Sequence, residues 1–492
     1  MTAPTTSRVT TAADPAPRRG LAMVVLIFAS FMDLMDATVV NVALPAIDTH
    51  LHASPAQLEW IVGGYTLTFA VLLITGGRLG DIYGRQRLFL VGVGGFTLAS
   101  LVAALAPDAA VLVGARLAQG GLAALMIPQV LASVQALYPP QQRAPMLGVI
   151  GAVAGLAAVV GPLVGGALVT ADAFGLQWRS IFVINLPVGI ALFAAALAWV
   201  PNTRSPHPLS LDPVGVACVT LALGLLVFPL VEGQQLGWPS WIWWLFAGAL
   251  VALAGFVAQQ RRRERTIGSP LVPLRLFTRP GFSAGVVTQF LFFGAMVGFS
   301  LILTLYLQLG LHFSAIAAGL VLLPFSIASF LASMAAVPLA GRLGKPLVFL
   351  GAALQAAAVL WVRAIVAAEG TGLGQWSLWL PMALAGIGLG ILVIPLADLA
   401  LAHVPATDAG AGSGVFNTFQ QVGGVLGIAL AGVVFFSRAD AAHSLAAMQD
   451  ALLAAALVPV AGHVLAALCS LALPASSAGA AHAAAELADD PA

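Results

Sequence analysis

Apolar residues run along this chain in long unbroken stretches, unlike the alternation of a half-buried strand or the single stripe of a surface helix. A membrane-spanning helix needs about 20 mostly apolar residues. That length predicts fourteen helices, over 20–47, 57–77, 88–106, 110–137, 145–169, 180–200, 212–231, 241–258, 282–308, 315–340, 346–367, 376–402, 410–436 and 451–472. Short polar or Gly/Pro-bearing turns separate them. Only helices and closed barrels satisfy their backbone groups in lipid, and runs this long exclude barrel strands. The expected fold class is therefore an all-α polytopic membrane protein.

Composition agrees. Of 492 residues, 60% are hydrophobic and 8% charged, which no water-soluble surface of this size tolerates. A net charge of +1 offers no excess with which to recruit nucleic acid. Cys218 and Cys469 lie in apolar runs, away from His or acidic clusters, and read as small core residues rather than a disulfide or a metal site. The polar start, 1–19, lacks a short apolar stretch ending in a cleavage site, so the first helix is expected to insert the chain itself. The Ala- and Pro-rich tail, 474–492, is expected to be disordered.

The basic residues orient the helices. With both termini in the cytoplasm, sixteen of the twenty Lys and Arg fall on the inner side, three (Arg179, Arg363 and Arg438) fall outside, and Arg116 lies within a helix. This is the asymmetry of the positive-inside rule. The halves also echo each other: Gly77-Arg-Leu-Gly-Asp81 follows the second span and Gly341-Arg-Leu-Gly-Lys345 the tenth, while the fifth and thirteenth spans are both glycine-rich. The expected organisation is a tail (1–19), a six-helix bundle (20–200), a linker with two extra helices (201–280), a second six-helix bundle (281–473) and a tail. Repeated halves place a substrate site at the midplane between them.

Asp33 and Asp36 sit one helical turn apart in the first apolar run. A carboxylate at that depth costs roughly 2.5 kcal/mol or more, so it signals transport, a proton relay or a partner charge. Arg116 is the central basic residue of the first half and their expected partner; the competing reading has it snorkelling to the outer surface. The string Asp36-Ala-Thr38-Val-Val-Asn41-Val-Ala-Leu-Pro45 is expected to close the first helix.

These residues carry a resemblance. The first-helix string is similar to a motif of the drug:proton antiporters in the major facilitator superfamily. Gly77-Arg-Leu-Gly-Asp81-Ile-Tyr-Gly84-Arg85-Gln-Arg87 resembles the superfamily's Gly-x-Leu-x-Asp-x-x-Gly-Arg-x-Arg, and Arg116-Leu-Ala-Gln119-Gly120 its Arg-x-x-Gln-Gly. Gly151 to Gly155, then Gly161-Pro162-Leu-Val-Gly165-Gly166, resembles the antiporter motif of exporters. Trp178 to Pro187 and Leu58 to Tyr65 look like the fourteen-helix branch that contains the EmrB and QacA multidrug exporters.

The resemblance implies an all-α fold of two six-helix bundles plus two inserted helices. In that reading Gly77, Asp81, Gly84 and Arg85 form a conformational latch, although a purely topogenic loop also fits the arginines. Asp33, Asp36 and Arg116 couple protons, with Asp36 expected to be essential and Asp33 to tune cation preference. Thr38, Asn41, Tyr65, Gln119, Gln289, Phe292, Phe293, Met296, Asn417 and Gln420 are cavity candidates, since aromatic, Met and amide side chains suit a pocket that repacks around varied ligands. Asp398 is expected near a span end and His463 at the periphery.

The expected function is proton-coupled export of hydrophobic or cationic compounds by alternating access, with protons as the coupling ion and no cofactor. The alternative is a dedicated exporter of one metabolite, antibiotic, amino acid or lipid. A membrane enzyme or sensor would need a soluble domain or clustered ligands, and the phosphate loop of an ATP-driven pump does not occur in the sequence. The expected partners are small substrates, protons and the lipid bilayer, with accessory export proteins possible. The expected location is the inner membrane of a bacterium.

Overall fold

The computed structural model describes residues 16–138, 140–172, 175–205, 210–402, 404, 409–439 and 444–474. These form fifteen α-helices: α1 (Ala16–Leu51), α2 (Pro55–Tyr83), α3 (Arg85–Ala104), α4 (Ala109–Leu137), α5 (Pro140–Ala171), α6 (Ser180–Val183), α7 (Asn185–Trp199), α8 (Pro213–Leu236), α9 (Ser240–Thr266), α10 (Pro280–Leu305), α11 (Ala315–Glu369), α12 (Trp379–Leu401), α13 (Ala409–Phe436), α14 (Leu445–Ala455) and α15 (Leu457–Ser470). Thirteen helical stretches are long and apolar enough to cross a membrane, and Val160–Ala171 of α5 is a shorter apolar one. The tails 1–15 and 475–492 lie outside the described residues.

Local chemistry sets the boundaries. Ser54 and Gln57 form a reciprocal cap at the start of α2, with the Gln57 N–H donating to Ser54 Oγ (3.3 Å) and the Ser54 N–H to Gln57 Oε1 (2.9 Å). Asp108 caps α4 and Ser314 caps α11. Gly84 ends α2 at φ 110°, a conformation that favours glycine. α1 does not close at Pro45 but runs through it to Leu51, because packed neighbours tolerate a proline in a membrane helix.

The sixth span of each half breaks in the same way. α6 ends at Val183 and α7 holds Pro187; α14 ends at Ala455 and α15 holds Pro459. Each proline removes the N–H that would bond to the carbonyl four residues earlier, which is where each helix stops. The spans read as 315–340 and 346–367 form one helical run, α11, but not a straight one. Phe325 and Ser333 touch Gly386 and Gly390 of α12, while Gly351 and Gln355 touch Gly388 between them. Residues 325 and 355 would lie about 45 Å apart on a straight helix, so α11 turns back between its halves, in the stretch holding Pro338 and Pro346.

Arg85 and Arg87 at the start of α3, with Arg204 between α7 and α8, mark what we call the basic end. At the opposite end the two halves meet closely. Val39 and Val40 of α1 share one buried cluster with Leu301 to Tyr306, Val321 and Ile428 of the second half. Gln308 Nε2 donates to the Val42 carbonyl at 3.0 Å. Helix α8 packs against both α2 and α13, so the inserted pair touches both halves.

Candidate functional site: a buried carboxylate network in the first half

Gly120 brings α4 so close to α2 that a methyl group there would overlap the Tyr65 carbonyl oxygen. This crossing puts Arg116, one turn before Gly120, beside Tyr65 and α1. Arg116 Nη1 donates to Asp36 Oδ2 at 2.5 Å, with relative exposures of 1% and 0% for the two side chains. Arg116 is therefore inward and paired, not snorkelling. Its Nε donates to the Ile61 carbonyl at 3.0 Å, and its Nη1 also reaches Gln119 Oε1 at 3.0 Å. Asn185 Nδ2 donates to Asp36 Oδ1 at 2.6 Å, and Gln119 Nε2 reaches the same oxygen at 3.4 Å. Gln119 also donates to Ser100 Oγ at 2.9 Å.

Asp33 has a different environment. It is buried, and the Tyr65 hydroxyl donates to its Oδ1. The Tyr65 ring carries the Arg116 guanidinium carbon 4.4 Å from its centre, a cation–π contact. One phenol thus links the two acids: its hydroxyl to Asp33, its face to the cation of Asp36. Asp36 has a full counter-charge and two amides, while Asp33 has a neutral donor.

The glycines of the expected antiporter motif fill two roles. Gly161 and Gly165 lie against Thr38 and Val39 of α1, with no room for a side chain. Gly166 faces the other way, where an added Cβ would lie 2.7 Å from Ile316 Cα in α11, and the Pro162 carbonyl would meet a Cβ at Gly319 at 2.9 Å. Helix α5 is therefore wedged between the helix of Asp33 and Asp36 and the second half. Gly155 falls in the part of α5 whose surroundings lie outside the described residues.

At the basic end the turn is made by Gly84 alone. Gly77 lies inside α2, in ordinary contact with Pro128, and plays no part in the turn. Arg85 Nη2 pairs with Asp81 Oδ1 at 3.0 Å and its Nη1 donates to the Ala132 carbonyl of α4 at 3.0 Å. Asp81, in the last turn of α2, thus ties that helix to Arg85, the first residue of α3. Arg78 is buried and donates to the carbonyls of Ser210 (2.8 Å) and Pro270. Asp212, just before α8, accepts from Gln260 Nε2 (2.7 Å), Gln259 Nε2 (2.9 Å) and the Gly215 N–H (2.9 Å), with Arg263 Nε at 3.7 Å. Burial works to raise the Asp212 carboxyl, but these donors and the Arg263 charge outweigh it and hold the group below the usual carboxylate range.

The cavity candidates divide. Thr38, Asn41, Phe293, Met296, Asn417 and Gln420 are half-buried. Tyr65 and Gln119 belong to the carboxylate network, and Gln289 is buried, donating to Gln420 Oε1 at 2.7 Å. Phe292 is a core side chain with no exposure, edge-on to His463 at 5.3 Å. His463 itself is fully buried rather than peripheral, Asp398 is exposed, and Cys218 and Cys469 are half-buried rather than core. Asn185 and Ser100 join the site without being sequence candidates for it; the Trp178-Arg…Asn185-Leu-Pro187 string is the signal that marks Asn185.

Comparison with known proteins fits this architecture. The chain is 44% identical over 429 residues to the "Probable actinorhodin transporter" of Streptomyces coelicolor, covering 87% of this chain and 74% of that one. It is 34% identical over 452 residues to the methylenomycin A resistance protein of the same species, with 91% and 93% covered. It is also 34% identical over 409 residues to the tetracenomycin C resistance and export protein of Streptomyces glaucescens, with 83% and 74% covered. Among solved structures, a bacterial homologue of the lysosomal transporter Spinster superposes with a TM-score of 0.66 at 16% identity, covering 93% of this chain and 98% of that one. A D-xylose-proton symporter gives 0.64 at 15%, covering 94% and 99%. The Major Facilitator Superfamily profile matches residues 26–428, and with these relatives and this helical architecture the chain belongs to that family of membrane transporters.

Proposed function

We propose that this transporter exports hydrophobic or cationic drug-like molecules in exchange for protons, by alternating access, as a member of the fourteen-helix exporter branch in the inner membrane of a bacterium with both termini cytoplasmic. The observation that carries this reading is the inequality of the two buried acids. Asp36 is neutralised by direct contact with Arg116, whereas among the described residues the hydrogen-bond donor to Asp33 is the neutral Tyr65 hydroxyl, which leaves Asp33 the acid freer to change its proton. Asp33 then carries the coupling proton, and Asp36 with Arg116 forms the fixed pair that senses it through Tyr65. A protonated Asp33 releases its hold on a cationic substrate, and an ionised one favours binding. The opposing pH on the two faces turns this competition into net export.

In this orientation the end sealed by Gly166, Ile316, Gln308 and Val42 faces outward. Asp81 and Arg85 latch the basic end, and the half-buried residues between the bundles line the substrate path. The experiment is a drug-susceptibility panel in an efflux-deficient host, paired with transport into everted vesicles under an imposed pH gradient. Resistance that depends on Asp33, with uptake driven by an acid interior, supports the reading; uptake indifferent to the gradient contradicts it.

A second reading keeps the mechanism and narrows the cargo. Three relatives carry the names of single antibiotics, actinorhodin, tetracenomycin C and methylenomycin A, which favours a dedicated exporter of one such compound. The panel separates the two: protection against one chemical class supports the dedicated exporter, and protection across unrelated classes the multidrug one.

A further inference from the structure

Glu59 lies in α2 where the two halves press together, and only 3% of it is exposed. Its carboxylate rests directly on Gly432 of α13, so that a methyl group at 432 would collide with it. Its Oε2 has no hydrogen-bond partner. Around it, Ala56 of α2, Val227 and Val231 of α8, and Val425 and Ala429 of α13 form an apolar cluster. The charged group acting on Glu59 is Glu232 of α8, a like charge, whose own Oε1 is held by Trp60 Nε1 at 2.9 Å. On α13, Gly432 meets Glu59, and Val425, Ile428 and Ala429 in the two turns before it carry no titratable group.

Among the described residues an ionised carboxylate in this setting meets no compensating cation, and it has one partnerless oxygen and a second acid beside it, each of which penalises the charge. A proton removes the penalty. The setting exists only because α2 of the first half and α13 of the second are in contact; parting them admits water to the carboxylate. Protonation and closure at one site of contact are then linked equilibria.

We propose that Glu59 is a proton-binding site that seals α2 against α13 when protonated and favours opening of this end when ionised. Glu59 thus makes closure of the end opposite the basic loops responsive to pH. The proposal is independent of which ion drives transport, and its failure leaves the Asp33 reading untouched.

The test is pulsed electron paramagnetic resonance on full-length protein in nanodiscs, spin-labelled at Thr170 and Ser437, both exposed near the ends of α5 and α13, with Cys218 and Cys469 replaced by serine. In an Asp33→Asn background, which removes the other candidate proton carrier, the open fraction should rise with pH by up to about tenfold per unit, the limit for one linked proton. Glu59→Gln should hold the protein closed at every pH, and Glu59→Asp, which keeps the carboxyl, should restore the response and so exclude a merely structural effect. A pH response unchanged in Glu59→Gln, or none in the parent between pH 5 and pH 9, overturns the proposal.

Discussion

Arg116 stacks on the ring of Tyr65 at 4.4 Å while the Tyr65 hydroxyl donates to Asp33. Two acids that the chain places one turn apart thereby receive different surroundings, and a change at Asp33 has a short route to the cation that holds Asp36.

Removing the cation should expose how much the pair matters. In Arg116→Gln, Asp36 is left charged among neutral groups, and breaking a buried pair costs about 3 to 5 kcal/mol. Folded yield and thermal stability in detergent should fall sharply. The double variant Asp36→Asn/Arg116→Gln should recover stability, because no uncompensated charge remains, yet not transport. A single variant as stable as the parent would mean that the pair is solvated in the working protein.

The contact between α5 and α11 leaves no space at Gly166, where a Cβ would lie 2.7 Å from Ile316 Cα. Gly166→Val should therefore destabilise the closed arrangement of this end by about 1 to 3 kcal/mol, the usual cost of overpacking. Export should drop about tenfold in a protein that still inserts normally. Full activity, read in vesicles at matched expression, would show that this contact does not persist during turnover.

Asp81 is 35% exposed and pairs with Arg85 one turn away. Such surface pairs contribute about 0.3 to 0.5 kcal/mol, so Asp81→Asn should barely change the melting temperature. As part of a latch made in one access state, it should still slow turnover more than it weakens substrate binding. Normal turnover by the stable variant would reduce the loop to a topogenic role.

The apolar helix expected from 212 begins at Pro213, which leaves Asp212 just before the span, and its donors hold its carboxyl below the ordinary range. A depressed carboxyl stabilises the fold at pH values above the unfolded pKa of about 3.9, and that contribution is lost as pH falls through the folded value. Asp212→Asn should therefore melt at a lower temperature than the parent at pH 7, and the two should converge as the medium is acidified below pH 4. Equal melting at pH 7 would mean that the Gln259, Gln260 and Arg263 contacts do not hold in solution.

The helices were legible because the cost of a backbone in lipid forces long apolar runs, and Asp33, Asp36 and Arg116 stood out because charge at membrane depth is expensive. Ser100 and Asn185 carry no such penalty; their place beside Asp36 depends on which faces α1, α3 and α7 turn toward one another. Arg78 and Asp212 look like ordinary loop residues until the linker carbonyls and α9 amides close around them. Glu59 and His463 sit near or within apolar runs, where sequence gives no sign of the neighbour that will bury them. The fold-back of α11 was legible as two spans, 315–340 and 346–367, but not that helical hydrogen bonding continues through the turn between them.

The central claim is that Asp33 carries the exchanged proton while Asp36 stays paired with Arg116. It is tested most directly by measuring proton release on adding a transported cationic compound to the purified, weakly buffered protein. Release should persist in Asp36→Asn at reduced amplitude and vanish in Asp33→Asn. Release that survives in Asp33→Asn and disappears in Asp36→Asn would contradict the account and return the proton to the ion pair.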